Sequence, residues 1–233
     1  MLVLYLHGFA SSARSSKAAF FGTKLLEAGI NLQTPDFNDP DFSTLTITRM
    51  VDQVLRILDA HPDEAAVLIG SSLGGFVAVQ VAVARPGRVR SLILLAPALD
   101  FGGNRMKSLG EVGIEEWKRN NRLDIFHYGY GRMMPIHYEL YADARRYDCI
   151  HAAVNMPIQV FQGRRDDAVD PVTVEEWSRA RPNVELHMLD DDHQLTASVE
   201  YIWAEMKRFL GSTDVNSQRP TSNSQEKPLE DAG

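Results

Sequence analysis

Residues 66–84 read Ala66-Val67-Leu68-Ile69-Gly70-Ser71-Ser72-Leu73-Gly74-Gly75-Phe76-Val77-Ala78-Val79-Gln80-Val81-Ala82-Val83-Ala84. The apolar run Ala66–Ile69 has strand length and stops at a glycine. The stretch Leu73–Ala84 has helix length, and Pro86-Gly87 supplies its stop. Between them Gly70-Ser71-Ser72-Leu73-Gly74 matches G-x-S-x-G with Ser72 at its centre. The pentapeptide recurs by chance as a plain glycine turn, so its position carries the meaning. A strand before it and a helix after it make the sharp bend that lifts a serine Oγ above a sheet. Glycine at 70 and 74 suits a place where strand and helix backbones approach too closely for a Cβ.

Outward from this unit, strand-length apolar runs alternate with helix-length amphipathic stretches. Strands are predicted at Leu2–Leu6, Asn31–Thr34, Ala66–Ile69, Ser91–Leu95, Ile158–Gln162 and Glu185–Leu189. Helices are predicted near Ser16–Ala28, Ile47–Ala60, Leu73–Ala84, Val172–Ala180 and Ala197–Leu210. The last is the clearest, with Val199, Ile202, Trp203, Met206 and Phe209 on one face. The pattern predicts an α/β fold: a mostly parallel sheet of about six strands with helices on both faces.

One interval, about 100–155, breaks the alternation and shows no convincing strand. It is dense in large residues, among them Trp117, Phe126, Tyr128, Tyr130, Met133, Met134, Tyr138 and Tyr141. An insertion this long is expected to be a helical lid over the carboxyl ends of the strands. The plainer alternative is a few helices packed on the sheet edge. Residues 1–211 are therefore expected to form one domain with this insertion. Residues 212–233, rich in Ser, Pro, Asn and Gln, are expected to be a disordered tail.

Lys plus Arg number 24 against 31 Asp plus Glu, a formal charge of −7, which disfavours phosphate backbones and anionic membranes as partners. The chain has a single cysteine, Cys149, which rules out an internal disulfide and a Cys-rich zinc site. No apolar run approaches the ~20 residues of a membrane span, and Met1–Leu6 lacks the basic start of a signal peptide. The expectation is a cytoplasmic protein without a nucleic-acid partner. The sequence carries no signal for oligomeric state.

A serine hydroxyl is a poor nucleophile near neutral pH and needs a base within hydrogen-bond reach. Among seven histidines, His193 follows the last predicted strand in the acidic turn Asp190-Asp191-Asp192, just before the final helix. From there it can swing over a serine on a central strand; the alternative is a surface histidine in an acidic loop. No spacing among the histidines suggests a metal site. A third group must hold the imidazole tautomer. In the loop Gly163-Arg164-Arg165-Asp166-Asp167-Ala168-Val169-Asp170-Pro171 three aspartates compete: Asp166 sits three residues after Gly163, and Asp167 and Asp170 could equally be turn or helix-cap residues. Oxyanion donors are expected from the Leu73 N–H at the helix start and the Phe9 N–H after the first strand.

His7-Gly8-Phe9, the Gly70–Gly74 bend, the Gly163–Pro171 loop and Asp192-His193 together resemble the four active-site motifs of the α/β-hydrolase superfamily. Within it, Leu4-Tyr5-Leu6-His7-Gly8-Phe9-Ala10-Ser11-Ser12, Arg14-Ser15, Lys17-Ala18 and Gly70–Gly75 are similar to the small bacterial YqiA-like esterases. The resemblance implies a carboxylic-ester hydrolase acting on small molecules, with Ser72 as nucleophile, His193 as base, Asp166 as acid and no cofactor. Thioesterase, amidase or peptidase and C–C bond hydrolase activities use the same machinery. A non-catalytic ligand-binding protein with the same fold is the alternative of a different class.

Overall fold

In a computed structural model, which describes residues 1–103 and 109–217 and side chains as far as Ser212, the first strand is buried along its whole length. Its side chains divide by parity between two cores: Leu2, Leu4 and Leu6 face one, Val3 and Tyr5 the other. Such two-sided burial is what a parallel sheet between helical layers demands.

The described strands are β1 (Leu2–Leu6), β2 (Leu32–Gln33), β3 (Ala66–Ser71), β4 (Val89–Leu95), β5 (Leu123–His127), β6 (Arg132–Ile136), β7 (Ile158–Gly163) and β8 (Val184–Leu189). The helices are α1 (Ser16–Glu27), α2 (Ile47–Ala60), α3 (Leu73–Ala84), α4 (Gly110–Asn120), α5 (Glu139–Ala144), α6 (Pro171–Arg179) and α7 (Val199–Ser217). Six strands form one sheet in the order β2-β1-β3-β4-β7-β8, and every pairing in it is parallel. The six predicted strands are these six, with no end shifted by more than two residues.

The two cores name the two layers. Ala18, Phe21 and Leu25 of α1 and Ile202, Met206 and Phe209 of α7 join Val3, Tyr5 and Ile69 on one face. Helices α2, α3 and α6 cover the other, through Ile47, Met50, Val54, Phe76, Val77, Val174 and Trp177. Helix α3 is buried all round from Leu73 to Ala82, which is why its sequence lacks a polar stripe.

The interval 100–155 contains α4 and α5, as expected of a helical insertion, and also an antiparallel hairpin, β5–β6, that the sequence reading lacked. Trp117 of α4 is buried and its Nε1–H donates to the Ile136 carbonyl at 2.9 Å. Asp143 of α5 accepts from both the backbone N–H and the hydroxyl of Thr48, at 2.7 Å each, tying the insertion to the first turn of α2. At the other end of the chain, the backbone of α7 runs on to Ser217, past the expected start of the tail. Residues 218–233 of that expected tail lie outside the described residues. Among the described residues no helix is long and apolar enough to cross a membrane.

Strand order sets the location of any site. From β1 the chain steps outward to β2, then returns to the other side of β1 for β3, β4, β7 and β8. The loops leaving β1 and β3 therefore diverge, opening a crevice at the carboxyl edge, where open parallel sheets bind ligands.

Candidate active site

Ser72 sits between the last residue of β3 and the first of α3 with φ 52° and ψ −115°, a backbone conformation costly for any residue with a Cβ. The bend is tight enough that glycine is required around it. A Cβ on Gly74 would lie 1.9 Å from the Leu6 carbonyl oxygen, and one on Gly70 would lie 2.5 Å from the Gly74 carbonyl oxygen. The Ser72 carbonyl is held by the N–H groups of Gly75 at 2.9 Å and Ala98 at 3.1 Å.

The structure brings Ser72, His193 and Asp166 together from three strand ends. His193 Nε2 lies 3.1 Å from Ser72 Oγ, and His193 Nδ1 lies 2.8 Å from Asp166 Oδ2. The Asp166 side chain is fully buried while that of His193 is 15% exposed. Besides His193, Asp166 accepts from Gln162 Nε2 at 2.9 Å and from the N–H groups of Ala168 and Val169 at 2.9 and 2.8 Å. Burial pushes this carboxyl up. The His193 hydrogen bond and charge, the Val169 amide and Gln162 outweigh it, leaving Asp166 below the ordinary carboxylate range. An ionised acceptor there keeps the proton on His193 Nδ1 and leaves the Nε2 lone pair facing the hydroxyl.

The other two acids of that loop are placed differently. Asp167 is exposed, and Asp170 caps α6, accepting from the N–H groups of Val172 and Thr173 ahead of Pro171 at the first helical position. Gln162, which the sequence reading missed, had one signal: a polar residue at the end of the predicted strand Ile158–Gln162, where the structure buries it.

His7-Gly8-Phe9 leaves β1 directly against the serine, since a Cβ on Gly8 would lie 3.2 Å from Ser72 Cβ. Leu73 opens α3, so its N–H has no carbonyl partner within the helix. Lys17 of α1 donates from Nζ to the Gln194 carbonyl at 3.0 Å, beside the His193 turn. Burial pushes its pKa down to about 8, with Asp166, Asp192 and Asp191 opposing.

A cavity of about 210 Å³ lies between the segment after β4 and the Asp166 loop, lined by Ala98, Leu99, Phe101, Ala168 and Val169 among others. A larger recess of about 480 Å³ runs along α2 past Arg49, Gln53, Arg56 and His61, and none of Ser72, Asp166 and His193 lines either one. Glu185, His187 and Glu205 have ligand atoms within 4.8 Å of one another, but Arg208 ion-pairs with both carboxylates.

Two of the most similar solved structures are a ferulic acid complex of Est1E from Butyrivibrio proteoclasticus and the mouse alpha/beta hydrolase domain-containing protein 10. The first gives a TM-score of 0.79 at 18% identity, covering 92% of this chain and 89% of that one. The second gives 0.76 at 21%, covering 90% and 89%. Human palmitoyl-protein thioesterase ABHD10, mitochondrial, is 26% identical over 178 residues, which is 72% of this chain and 57% of that protein. The chain thus spans less than two thirds of the length of this curated relative. The family model described as Uncharacterised protein family (UPF0227) matches residues 2–211. Having the α/β-hydrolase fold and matching that model over nearly its whole described length, the chain belongs to the UPF0227 family.

Proposed function

We propose that the chain hydrolyses carboxylic esters or thioesters through an acyl-enzyme on Ser72. The observation that carries this reading is the continuous hydrogen-bonded line Ser72 Oγ, His193 Nε2, His193 Nδ1, Asp166 Oδ2, at 3.1 and 2.8 Å, on a strained bend. His193 takes the hydroxyl proton as Ser72 Oγ attacks the carbonyl carbon, and Asp166 stabilises the imidazolium. The carbonyl oxygen, now negative, is received by the N–H groups of Phe9 and Leu73. One such donor is typically worth about 3–4 kcal/mol of transition-state stabilisation. The imidazolium then protonates the leaving alcohol or thiol, and water repeats the sequence on the acyl-enzyme.

In this reading residues 1–211 are the catalytic unit, in line with the span of the family match, and the interval 100–155 shapes the substrate's surroundings. The ester reading rests on the geometry of Ser72, His193 and Asp166, and the thioester reading draws on the similarity to palmitoyl-protein thioesterase ABHD10.

The test is a fluorophosphonate probe with a matched pair of short-chain aryl ester and aryl thioester. One adduct on Ser72 is expected, with both hydrolyses lost in Ser72→Ala. A folded wild-type protein that takes no label, or Ser72→Ala at the wild-type rate, overturns the proposal.

A further inference from the structure

The peptide joining Gly8 and Phe9 is held at its carbonyl end by two donors. Ser11 N–H reaches the Gly8 oxygen at 3.3 Å, and His7 Nδ1 reaches it at 2.9 Å. A carbonyl oxygen only accepts, so this contact puts a proton on His7 Nδ1, while Nε2 faces the Phe37 N–H at 2.9 Å and Asp36 Oδ1 at 3.2 Å and holds the ring in place. A trans peptide is planar, so fixing the Gly8 carbonyl fixes the Phe9 N–H in the opposite direction. Whatever steadies Ser11 therefore aims the Phe9 N–H.

The insertion hairpin supplies that steadying. His127, the last residue of β5, is completely buried. Its Nδ1 accepts the Tyr130 N–H at 3.2 Å, which places the proton on Nε2 for donation to Asn38 Oδ1 at 3.2 Å. Asn38, itself 4% exposed, passes the connection on by donating from Nδ2 to the Ser11 carbonyl at 2.9 Å. Two further contacts run in parallel. The Gly129 N–H in the hairpin turn donates to the Ala10 carbonyl at 3.2 Å. Phe42 stands edge-on to His127 at 4.6 Å and packs against Phe9 at 5.7 Å, while Tyr130 stacks on His127 at 4.2 Å. Every polar atom of the His127 and Asn38 side chains named here has its partner, and a satisfied buried network holds one geometry.

We propose that His127 is a positioning residue: acting through Asn38 and Ser11, it holds the Gly8–Phe9 peptide so that the Phe9 N–H faces the oxygen of the reacting carbonyl. The inference rests on the acyl-enzyme reading above. It makes the insertion part of the catalytic frame, because a residue about 120 positions along the chain locks the loop after β1.

The experiment compares wild type, His127→Ala, His127→Gln and Asn38→Leu on a short-chain aryl ester, with phenylboronic acid as inhibitor. The boronic acid adds to Ser72 Oγ as a tetrahedral anion and so samples the oxyanion position, whereas KM samples the ground state. For His127→Ala the expected result is a kcat lower by about tenfold to a hundredfold, with Ki raised in step and KM little changed. Glutamine can still donate to Asn38, so His127→Gln should recover most of the loss. Asn38→Leu repeats the test should His127→Ala fail to fold. Folded His127→Ala or Asn38→Leu with wild-type kcat and Ki overturns the proposal. So does a rise in KM alone, or His127→Gln as impaired as His127→Ala. Failure of the parent reading looks different: wild type is then neither labelled at Ser72 nor inhibited by the boronic acid.

Discussion

Asp166→Asn changes few atoms and forces a conflict that the structure makes explicit. Oδ1 can remain an amide oxygen, keeping the N–H groups of Ala168 and Val169. The new NH₂ then replaces Oδ2, which accepts from both Gln162 Nε2 and His193 Nδ1. Two donors meet a donor inside a fully buried pocket. The cheapest relief is for His193 to move its proton to Nε2, which turns the hydrogen toward Ser72 Oγ and removes the base. The opposite amide rotamer restores the acceptor for His193 but sets the NH₂ against two backbone donors. The corresponding change in a serine protease triad lowers kcat about 10⁴-fold, and a loss of 10³–10⁴ is expected here, about 4–5.5 kcal/mol of barrier. The assay is kcat on a short-chain aryl ester beside Asp167→Asn, whose exposed side chain predicts wild-type activity. The substitution also carries a stability signature. A carboxyl held below its unfolded-state value contributes stability that is present above that value and lost as pH falls through the folded one. The Tm advantage of wild type over Asp166→Asn should therefore be full at neutral pH and shrink on acidification below about pH 4. Folded Asp166→Asn with more than about a tenth of wild-type kcat would refute the reasoning, as would equal damage in Asp167→Asn.

Two backbone substitutions test the bend itself. Ser72→Gly should abolish hydrolysis yet raise Tm above that of Ser72→Ala, because glycine relieves about 1–3 kcal/mol of strain that alanine retains at φ 52°; equal Tm values would mean the bend stores no strain. Gly74→Ala drives a Cβ into the Leu6 carbonyl and should destabilise by more than about 3 kcal/mol in urea unfolding, and a smaller loss would show that β1 and α3 can separate at low cost.

The parts legible in the sequence are those where one local rule governs. Strand, G-x-S-x-G and helix in a row point to the bend, since glycines at 70 and 74 leave room where the two backbones meet. The hairpin β5–β6 was hidden because its alternation is disguised. Leu123 and Ile125 face inward, but the outward positions include Phe126 and Met133, 46% and 57% exposed, which erase the polar half of the period. Pro135 within β6 further weakens the strand signal. Among the three aspartates after β7, composition cannot choose. Burial chooses, through the amides of Ala168 and Val169 folding back around Asp166 while Asp170 turns outward to cap α6. The role of His127 gave no local sign, because Asn38, the partner through which it acts, lies 89 residues upstream.

The base presents the harder geometric problem. In the sheet order β3-β4-β7-β8, His193 leaves the edge strand and must reach a serine at the end of β3, three strand spacings or about 14 Å away. No side chain spans that, so the loop must lean inward and be held there against its own entropy. The buried Asp191 does much of the holding. Its carboxylate accepts the N–H groups of Asp192 at 2.8 Å and Ser198 at 2.9 Å, and its carbonyl takes the Arg165 N–H at 3.0 Å. From α1, in the same helical layer as α7, Lys17 clasps the Gln194 carbonyl one residue past the imidazole. The acidic turn is thus two different things. Asp190 and Asp192 face water, and Asp191 is the internal strut that converts an edge-strand histidine into a partner for a central-strand serine.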